Sequence, residues 1–326
     1  MNSQKPKVSR TQIAKIRKRR RRRRKVRACL LSLTLTLGCF AAVYLGIMKI
    51  LPQISSSFLT LPSEGEINLS QIHSRYLLLE NLESGQILAQ RRSQEKFYPA
   101  SLTKIMTAIL TIENFPNLDE VLVIPENIVS QLYTQDASMA GFLSGEEVTV
   151  RDLLYGTLLP SGAECCLSLA ERISGSEAGF AELMNQKASE LGMKNTHFCN
   201  ATGLHDTQHY STAEDMAVLL RYALGNPEFY TVFIAASYSV PPTNLHPEGF
   251  TFSSTLFKDM GDIQIQGGEF LGGKTGYTEE AGLCLASLAL VGGERYILVT
   301  AKADGTHETE PFHILDAAQI YGQLGK

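Results

Sequence analysis

The sequence is poor in the cysteine patterns that build disulfide frameworks or metal sites. Its 326 residues include only six cysteines, and none of them forms a C-x-x-C pair. The six are Cys29, Cys39, Cys165, Cys166, Cys199 and Cys284. We expect buried free thiols, which are the ordinary state of unpaired cysteine, and leave a Cys199–Cys284 bridge open.

A zinc-peptidase motif is also missing. The chain has no H-E-x-x-H segment. His205 and His209 have the spacing of helical metal ligands, but Gly203 precedes them and no third ligand is evident. We interpret both as loop histidines, and we expect neither a metal nor a cofactor.

Acidic residues are absent from the first 27 positions. Residues 1–27 hold 14 of the 30 Lys and Arg residues, so the remainder carries 16 basic and 33 acidic residues, a balance of −17. An acidic body repels phosphate, which argues against a nucleic-acid partner. The arginine run at residues 19–24 would also suit a nuclear-localisation or RNA-binding arm, but an apolar span follows it at once.

Charge is missing from residues 28–48, a stretch of 21 residues. At about 1.5 Å per residue such a helix crosses a hydrocarbon core of roughly 30 Å. Positive charge before a span keeps the N-terminus in the cytoplasm, and no A-x-A-like cleavage site follows. We expect a basic cytoplasmic tip (1–27), an uncleaved single-pass transmembrane anchor (28–51), a Pro- and Ser-containing tether (52–72) and an extracytoplasmic domain (73–326).

The order of predicted elements indicates an α+β domain. Apolar runs around short turns predict one hairpin near the start of the domain and a second near its end. Helical periodicity fills the middle, and the S/T-x-x-E capping box at 211–214 predicts a helix start. The predicted hairpins are 76–80 with 86–89 and 282–290 with 296–301, and the predicted helices are 102–110, 150–159, 163–173, 177–191, 211–224 and 312–321. We expect one antiparallel sheet built from both chain ends and covered by helices.

The first motif that carries chemistry is Ser101-x-x-Lys104, at the start of an apolar-striped helix. Residues i and i+3 share a helix face, so the lysine can reach the serine hydroxyl. Serine is a weak nucleophile that needs a neighbouring base, and lysine serves as one only when its pKa is lowered.

Two further motifs follow in the chain. Ser161 stands between two predicted helices, where a hydroxyl could relay a proton or simply cap a helix. Lys274-Thr275-Gly276 adds a second cation, a hydroxyl and a glycine that allows close backbone approach. S-x-x-K, a serine triplet and K-T-G in this order form the signature of β-lactamases and penicillin-binding proteins.

With these residues in place, the chain resembles the serine D-alanyl-D-alanine carboxypeptidases, the low-molecular-weight penicillin-binding proteins. The matching segments are 98–107 (YPASLTKIMT), 158–162 (LLPSG), 200–204 (NATGL), 209–217 (HYSTAEDMA) and 273–278 (GKTGYT). The resemblance implies a serine β-lactamase/DD-peptidase-like fold, a bacterial cell-membrane location, and a part in peptidoglycan biosynthesis and cell shape.

The resemblance also implies roles for seven residues. The expected catalytic residues are Ser101, Lys104, Ser161 and Lys274, and the expected substrate-binding residues are Thr275, Gly276 and Tyr277. Ser101 would attack the bond between two D-alanines of a peptidoglycan stem peptide, and Lys104 would take its proton. Ser161 with Lys274 would return a proton to the departing D-alanine, and β-lactams would acylate the same serine.

The sequence departs from the family in three ways. The family's Ser-x-Asn motif has Ala163 at its third position, so we expect reduced activity or an amide supplied from elsewhere; Glu164 matches a common acidic position. Residues 302–313 lack the arginine that assists the substrate carboxylate in many relatives, which leaves Lys302 or His307. The chain ends after its last predicted helix, and we expect the N-terminal span to replace the C-terminal anchor of some relatives.

Other functions remain as alternatives. A D,D-endopeptidase of peptidoglycan cross-links would use the same residues. A weakly active or non-catalytic penicillin-binding wall protein is supported only by Ala163. A class A β-lactamase is disfavoured, because no glutamate between residues 164 and 214 has an asparagine four positions later.

Overall fold

The computed structural model of the chain describes residues 67–325. The predicted basic tip, the predicted membrane anchor, the tether up to residue 66, and Cys29 and Cys39 lie outside the described residues. Within residues 67–325, no helix combines the length and the apolar character needed to cross a membrane.

The strands of the described region fall into an early pair, a middle group and a late group. They are β1 (Tyr76–Asn81), β2 (Ile87–Arg91), β3 (Val121–Val123), β4 (Glu147–Thr149), β5 (Ser237–Val240), β6 (Phe250–Ser253), β7 (Gly268–Gly276), β8 (Leu283–Val291) and β9 (Glu294–Ala303).

The helices lie mainly between the early and late strands, as the sequence predicts. They are α1 (Lys104–Asn114), α2 (Ile128–Tyr133), α3 (Val150–Leu158), α4 (Ala163–Ser174), α5 (Glu177–Glu190), α6 (Ala213–Leu224), α7 (Pro227–Phe233), α8 (Thr255–Asp259) and α9 (Phe312–Tyr321). A 3₁₀ turn, Ala100–Thr103, leads directly into α1.

The main sheet has five antiparallel strands in the order β2-β1-β9-β8-β7. Strands from the start and the end of the domain therefore pair side by side, with Leu78 opposite Gln90 on β2 and opposite Val299 on β9. This confirms the predicted sheet from both chain ends. Two-stranded ribbons, β3-β4 and β5-β6, stand apart from it.

Alternation along the strands sends apolar side chains to both faces of the sheet. Leu77 and Leu79 pack with Ile314 and Tyr321 of α9. Leu78, between them in sequence, belongs to the larger core formed with α1 and the other helices. The inner strand β8 is buried along nearly its whole length, because helices cover it on both sides.

The start of α6 differs from the predicted capping box by one residue. Thr212 is the N-cap, and its side chain accepts a hydrogen bond from the Asp215 backbone N–H. The backbone of Ser211 is already paired with Phe97 in both directions, at 2.8 and 3.0 Å, so the helix begins one position later. The prediction of a Ser211-to-Glu214 box was therefore wrong.

Residues 67–72, at the end of the predicted tether, pack against the domain. Ile72 is buried. The Arg91 guanidinium donates to the carbonyl oxygens of Ile72 at 3.0 Å and Ser74 at 2.9 Å, and also to that of Leu69. These bonds fix the entry of the chain into β1.

Candidate active site

Ser101 lies in the 3₁₀ turn that precedes α1, and two glycines allow other segments to approach that turn. Gly203 has a φ of +82°, and a Cβ there would lie 1.9 Å from the Ala100 carbonyl oxygen. A Cβ at Gly276 would lie 3.0 Å from the Ser101 backbone nitrogen. The turn is thus held between two backbones that no side chain separates.

The Lys104 amine is directed at the Ser101 hydroxyl. Its Nζ lies 2.9 Å from Ser101 Oγ and donates to the Thr202 carbonyl oxygen at 2.7 Å. The side chain is buried, with 2% of the residue exposed. The i to i+3 spacing of the motif therefore places the amine where the sequence predicts.

Ser161 adds a second hydroxyl at the same point. Its Oγ lies 3.0 Å from Ser101 Oγ. Its φ is +69°, a left-handed conformation that is rare for serine and recurs at functional sites. The short connection between α3 and α4 holds the residue in this conformation.

Lys274 and Thr275 approach from β7. The Lys274 amine is buried and donates to the Thr275 carbonyl oxygen at 2.8 Å. The Thr275 hydroxyl shares a 2.6 Å hydrogen bond with the hydroxyl of Thr255, the first residue of α8. The end of the edge strand thus presents a fixed hydroxyl beside Ser101.

These groups border a cavity of about 450 Å³, a size that suits a small peptide or drug-sized ligand. Ser101, Ser161, Thr275, Gly276 and Tyr277 line it. Lys104 and Lys274 are buried and are not among the lining residues, so the cavity offers hydroxyls to a ligand while the amines act on those hydroxyls.

Burial controls the charge of both lysines. Burial lowers the pKa of Lys104 from the ordinary value of 10.5, and the charge of Glu164 opposes this shift. Burial raises the pKa of Cys166 to about 11, so this nearby thiol is uncharged at neutral pH and opposes the shift little. Burial, and then repulsion by the Lys104 cation, holds the pKa of Lys274 well below its ordinary value. A neutral lysine amine next to a serine hydroxyl can accept its proton.

The structure brings all seven predicted site residues together, but sequence reasoning missed several of their partners. The Thr202 carbonyl that holds Lys104 belongs to a segment singled out only for its resemblance to the family. The Thr255 hydroxyl carried no sequence signal, because Thr255 lies outside every motif that the sequence offers. Lys258, also not singled out, lines the cavity.

Lys302 and His307 are the two residues that the sequence leaves to assist the substrate carboxylate in place of arginine. His307 lines the cavity and lies edge-on against Tyr277, with ring centroids 4.6 Å apart. Lys302 donates to the Glu280 carbonyl oxygen and is not among the cavity-lining residues. Of these two, only His307 is placed to meet a ligand.

Ala163 faces away from this chemistry. It is buried in a small apolar cluster with Ile128, Leu132 and Leu167. No asparagine or glutamine from residues 67–325 lines the cavity, so the expected substitute amide is not present there. Ser138 lines the cavity and offers a hydroxyl in place of a side-chain amide.

The two histidines of the 205–209 segment have separate surroundings. His209 is buried between the Thr103 hydroxyl, 2.8 Å from Nε2, and the Cys199 N–H, which donates to Nδ1 at 3.1 Å. Burial lowers its pKa to about 4, so it is a neutral core residue. His205 instead lies 3.7 Å from Glu280, and no group of three suitable ligands for a metal occurs in the described chain.

The cysteines in the described region are free. Cys165, Cys166 and Cys284 are buried, as expected for structural thiols, and Cys199 is partly exposed. The Cys199–Cys284 bridge that the sequence left open is not formed. Cys284 lies inside β8, whereas Cys199 lies in a loop next to His197, 3.6 Å from its Nδ1.

A nucleophile, a buried amine base and a second hydroxyl at the junction of a helical layer and an antiparallel sheet suit acyl transfer through serine. Residues 63–305 match the model of the peptidase S11 family, D-alanyl-D-alanine carboxypeptidase. The chain belongs to this family, and its fold is of the serine β-lactamase/DD-peptidase kind.

Curated relatives and solved structures agree with that family. DacF of Bacillus subtilis (strain 168), a D-alanyl-D-alanine carboxypeptidase, is 37% identical over 69% of this chain and 56% of its own. DacD of Escherichia coli (strain K12), of the same description, is 32% identical over 74% of this chain and 61% of its own. The chain thus spans a little over half the length of these relatives.

Solved structures cover the domain more completely. The Streptomyces K15 DD-transpeptidase is 28% identical with a TM-score of 0.69, over 78% of this chain and 97% of that one. The D-alanyl-D-alanine carboxypeptidase of Mycobacterium tuberculosis H37Rv is 26% identical with a TM-score of 0.69, over 81% and 95%.

The contact at Gly203 can be tested with a matched pair of glycines. Gly203→Ala and Gly192→Ala both place alanine at a φ near +80°, but a Cβ at Gly192 meets nothing within 4 Å. We expect Gly192→Ala to cost about 1–2 kcal/mol of stability through backbone strain alone. Gly203→Ala should cost more and also slow covalent labelling of Ser101 by a fluorescent penicillin, because the Ala100 carbonyl must move.

Chemical denaturation and labelling rates measure these effects. Equal stability losses, with normal labelling by both variants, would contradict the close contact between Gly203 and Ala100.

Proposed function

We propose that this chain is a serine D,D-carboxypeptidase that removes the terminal D-alanine of peptidoglycan stem pentapeptides, and that β-lactams acylate the same serine. The observation that carries the proposal is the placement of Ser101 Oγ, 2.9 Å from Lys104 Nζ and 3.0 Å from Ser161 Oγ. The names of the family and of its curated relatives support the choice of substrate.

Acylation begins with the neutral Lys104 amine. It takes the hydroxyl proton as Ser101 Oγ bonds to the carbonyl carbon of the penultimate D-alanine. The carbonyl oxygen becomes an oxyanion between the backbone N–H groups of Ser101 and Tyr277. The close packing of Gly276, the residue before Tyr277, against the Ser101 backbone nitrogen supports this pairing.

Departure of D-alanine requires a proton on its nitrogen. As the carbon–nitrogen bond breaks, Ser161 gives its hydroxyl proton to that nitrogen. The Lys104 ammonium formed in the first step then returns a proton to Ser161. Lys274 assists as the second buried amine. The Thr275 hydroxyl, held by Thr255, binds the terminal carboxylate.

Water completes the cycle. Lys104, neutral again, takes a proton from a water molecule that attacks the ester carbon. The bond to Ser101 Oγ breaks, the hydroxyl recovers its proton, and the shortened tetrapeptide leaves. A β-lactam follows the same first step but stays attached to the enzyme.

Replacing the nucleophile tests this mechanism directly. We expect Ser101→Ala to lose both the mass adduct with a penicillin and D-alanine release from a muramyl pentapeptide, because no other cavity hydroxyl lies beside Lys104 within hydrogen-bond distance in the described chain. Ser144→Ala is the matched control, since the Ser144 hydroxyl bonds only to the Glu126 carbonyl on an exposed loop.

Intact-mass measurement and a D-alanine assay distinguish the candidate functions. An adduct without D-alanine release would favour a D,D-endopeptidase or a binding-only wall protein. D-alanine release by Ser101→Ala at the wild-type rate would sink the mechanism.

We further propose that residues 1–51 anchor the enzyme in the cell membrane, with the N-terminus in the cytoplasm and the catalytic domain outside. The support is the basic run at residues 1–27 followed by the uncharged stretch at 28–48. We expect the full chain, expressed in bacteria, to resist alkaline carbonate extraction and to be digested by protease added to spheroplasts. Recovery in the soluble fraction, or protection from external protease, would contradict the proposed topology.

A further inference from the structure

Glu164, one position after the unusual Ala163, gathers three backbone donors at one oxygen. It lies in the first turn of α4 and is fully buried. Its Oε1 accepts the N–H groups of Ala140 at 2.7 Å, Gly141 at 2.9 Å and Phe142 at 3.3 Å. These donors belong to a stretch without strand or helix partners, so the carboxylate supplies bonds that regular structure would otherwise provide.

The same stretch, residues 138–142, is fastened to the Ser161 connection at two more points. The Ala163 N–H donates to the Ser138 carbonyl oxygen at 2.8 Å. Gly162 lies so close to Ala140 that a Cβ on the glycine would be 2.7 Å from the alanine Cβ. Consecutive residues after Ser161 therefore each hold one part of the stretch.

This fastening places Ser138 at the cavity. Ser138 lines it together with Ser101 and Ser161. The backbone carbonyl of Ser138 is occupied by Ala163, and its hydroxyl forms no hydrogen bond with the residues the structure describes. A peptide in the cavity carries N–H and C=O groups that such a hydroxyl can bind.

The second oxygen of Glu164 indicates that burying this carboxylate costs stability. Oε2 is buried and has no hydrogen-bond partner among residues 67–325. A buried polar atom without a partner is costly, and native structures retain few of them. The three bonds to Oε1 are the compensating feature.

We infer that Glu164 is a positioning residue that fixes residues 138–142 as one wall of the substrate cleft, where the Ser138 hydroxyl contacts the backbone of the bound stem peptide. The inference rests on the proposed function, because it concerns the peptide held for attack by Ser101.

A different role for Glu164 makes opposite predictions. Its charge is among those that act on Lys104, so it could serve by electrostatics alone. Glu164→Gln keeps an Oε1 acceptor at the same reach but removes the charge. Glu164→Asp keeps the charge but withdraws the oxygen by one methylene. If Glu164 acts by holding residues 138–142 in place, Glu164→Gln should keep the activity and Glu164→Asp should lose it.

The test compares Glu164→Gln, Glu164→Asp, Glu164→Ala and Ser138→Ala with the wild-type chain. We expect the Asp and Ala variants to lower kcat/KM for D-alanine release from a muramyl pentapeptide about tenfold or more, mainly through KM, because a displaced wall misplaces the peptide. Glu164→Gln should stay within about threefold, and Ser138→Ala should lose about fivefold, the worth of one neutral hydrogen bond.

Asp316→Asn is the matched control for losing a buried carboxylate that holds backbone. Asp316 accepts the N–H groups of His73 at 3.0 Å and Ser74 at 2.7 Å, on α9 at the far face of the sheet. It should lower the melting temperature while leaving kcat/KM unchanged well below that temperature.

Three results would overturn the inference. The first is a kcat/KM that stays near wild type in Glu164→Asp but falls in Glu164→Gln. The others are wild-type kinetics in Ser138→Ala, or equal kinetic losses in Glu164→Ala and Asp316→Asn. Ser138→Ala removes only an unpartnered surface hydroxyl of the cavity, so it remains readable if a Glu164 variant fails to fold. If the wild-type chain is acylated by a penicillin but releases no D-alanine, the proposed function fails, and acylation rates across the same variants then decide whether the wall exists.

Discussion

Two lysine amines buried in one site cannot both remain protonated at low cost, and the candidate active site depends on this constraint. Neither Lys104 nor Lys274 forms a salt bridge among residues 67–325; their contacts are hydroxyl and carbonyl oxygens. A buried ammonium without a carboxylate is expensive, and a neighbouring ammonium adds repulsion. The site therefore favours a neutral amine, which is the form that can activate Ser101.

The fold supplies that burial by bringing three distant segments against one turn. The 3₁₀ turn at Ala100–Thr103 is packed between Gly203 and the end of β7 at Gly276. The Gly203 contact is too close for a side chain, and the Gly276 contact is tight. The sheet built from both chain ends fixes β7, while the helical layer fixes the Ser161 connection. Catalytic geometry thus follows from backbone packing that leaves little room for adjustment.

The sequence predicted what depends on local spacing and little of what depends on long-range packing. The helix period identified Ser101 with Lys104, and alternating apolar runs identified the paired strands of the sheet. The capping box was misplaced because Ser211 is committed to a bridge with a segment more than a hundred residues earlier. The Glu164 bonds to residues 140–142 could not be predicted, because a carboxylate in a helix does not specify which distant N–H groups it will meet. Of the two alternatives for Ala163, reduced activity or an amide from elsewhere, no side-chain amide of residues 67–325 lines the cavity, and the Ser138 hydroxyl lies there.

The most direct measurement is an NMR titration of the Lys104 side chain in chain labelled with ¹³C-lysine, assigned by comparison with Lys104→Arg. We expect Lys104 to titrate below the ordinary lysine value of 10.5, because burial disfavours its ammonium form. Acylation by a penicillin should rise with pH through the same midpoint, since only the neutral amine can accept the Ser101 proton. A Lys104 pKa at or above 10.5, or acylation that is insensitive to this titration, would contradict the role of neutral Lys104 as the base that activates Ser101.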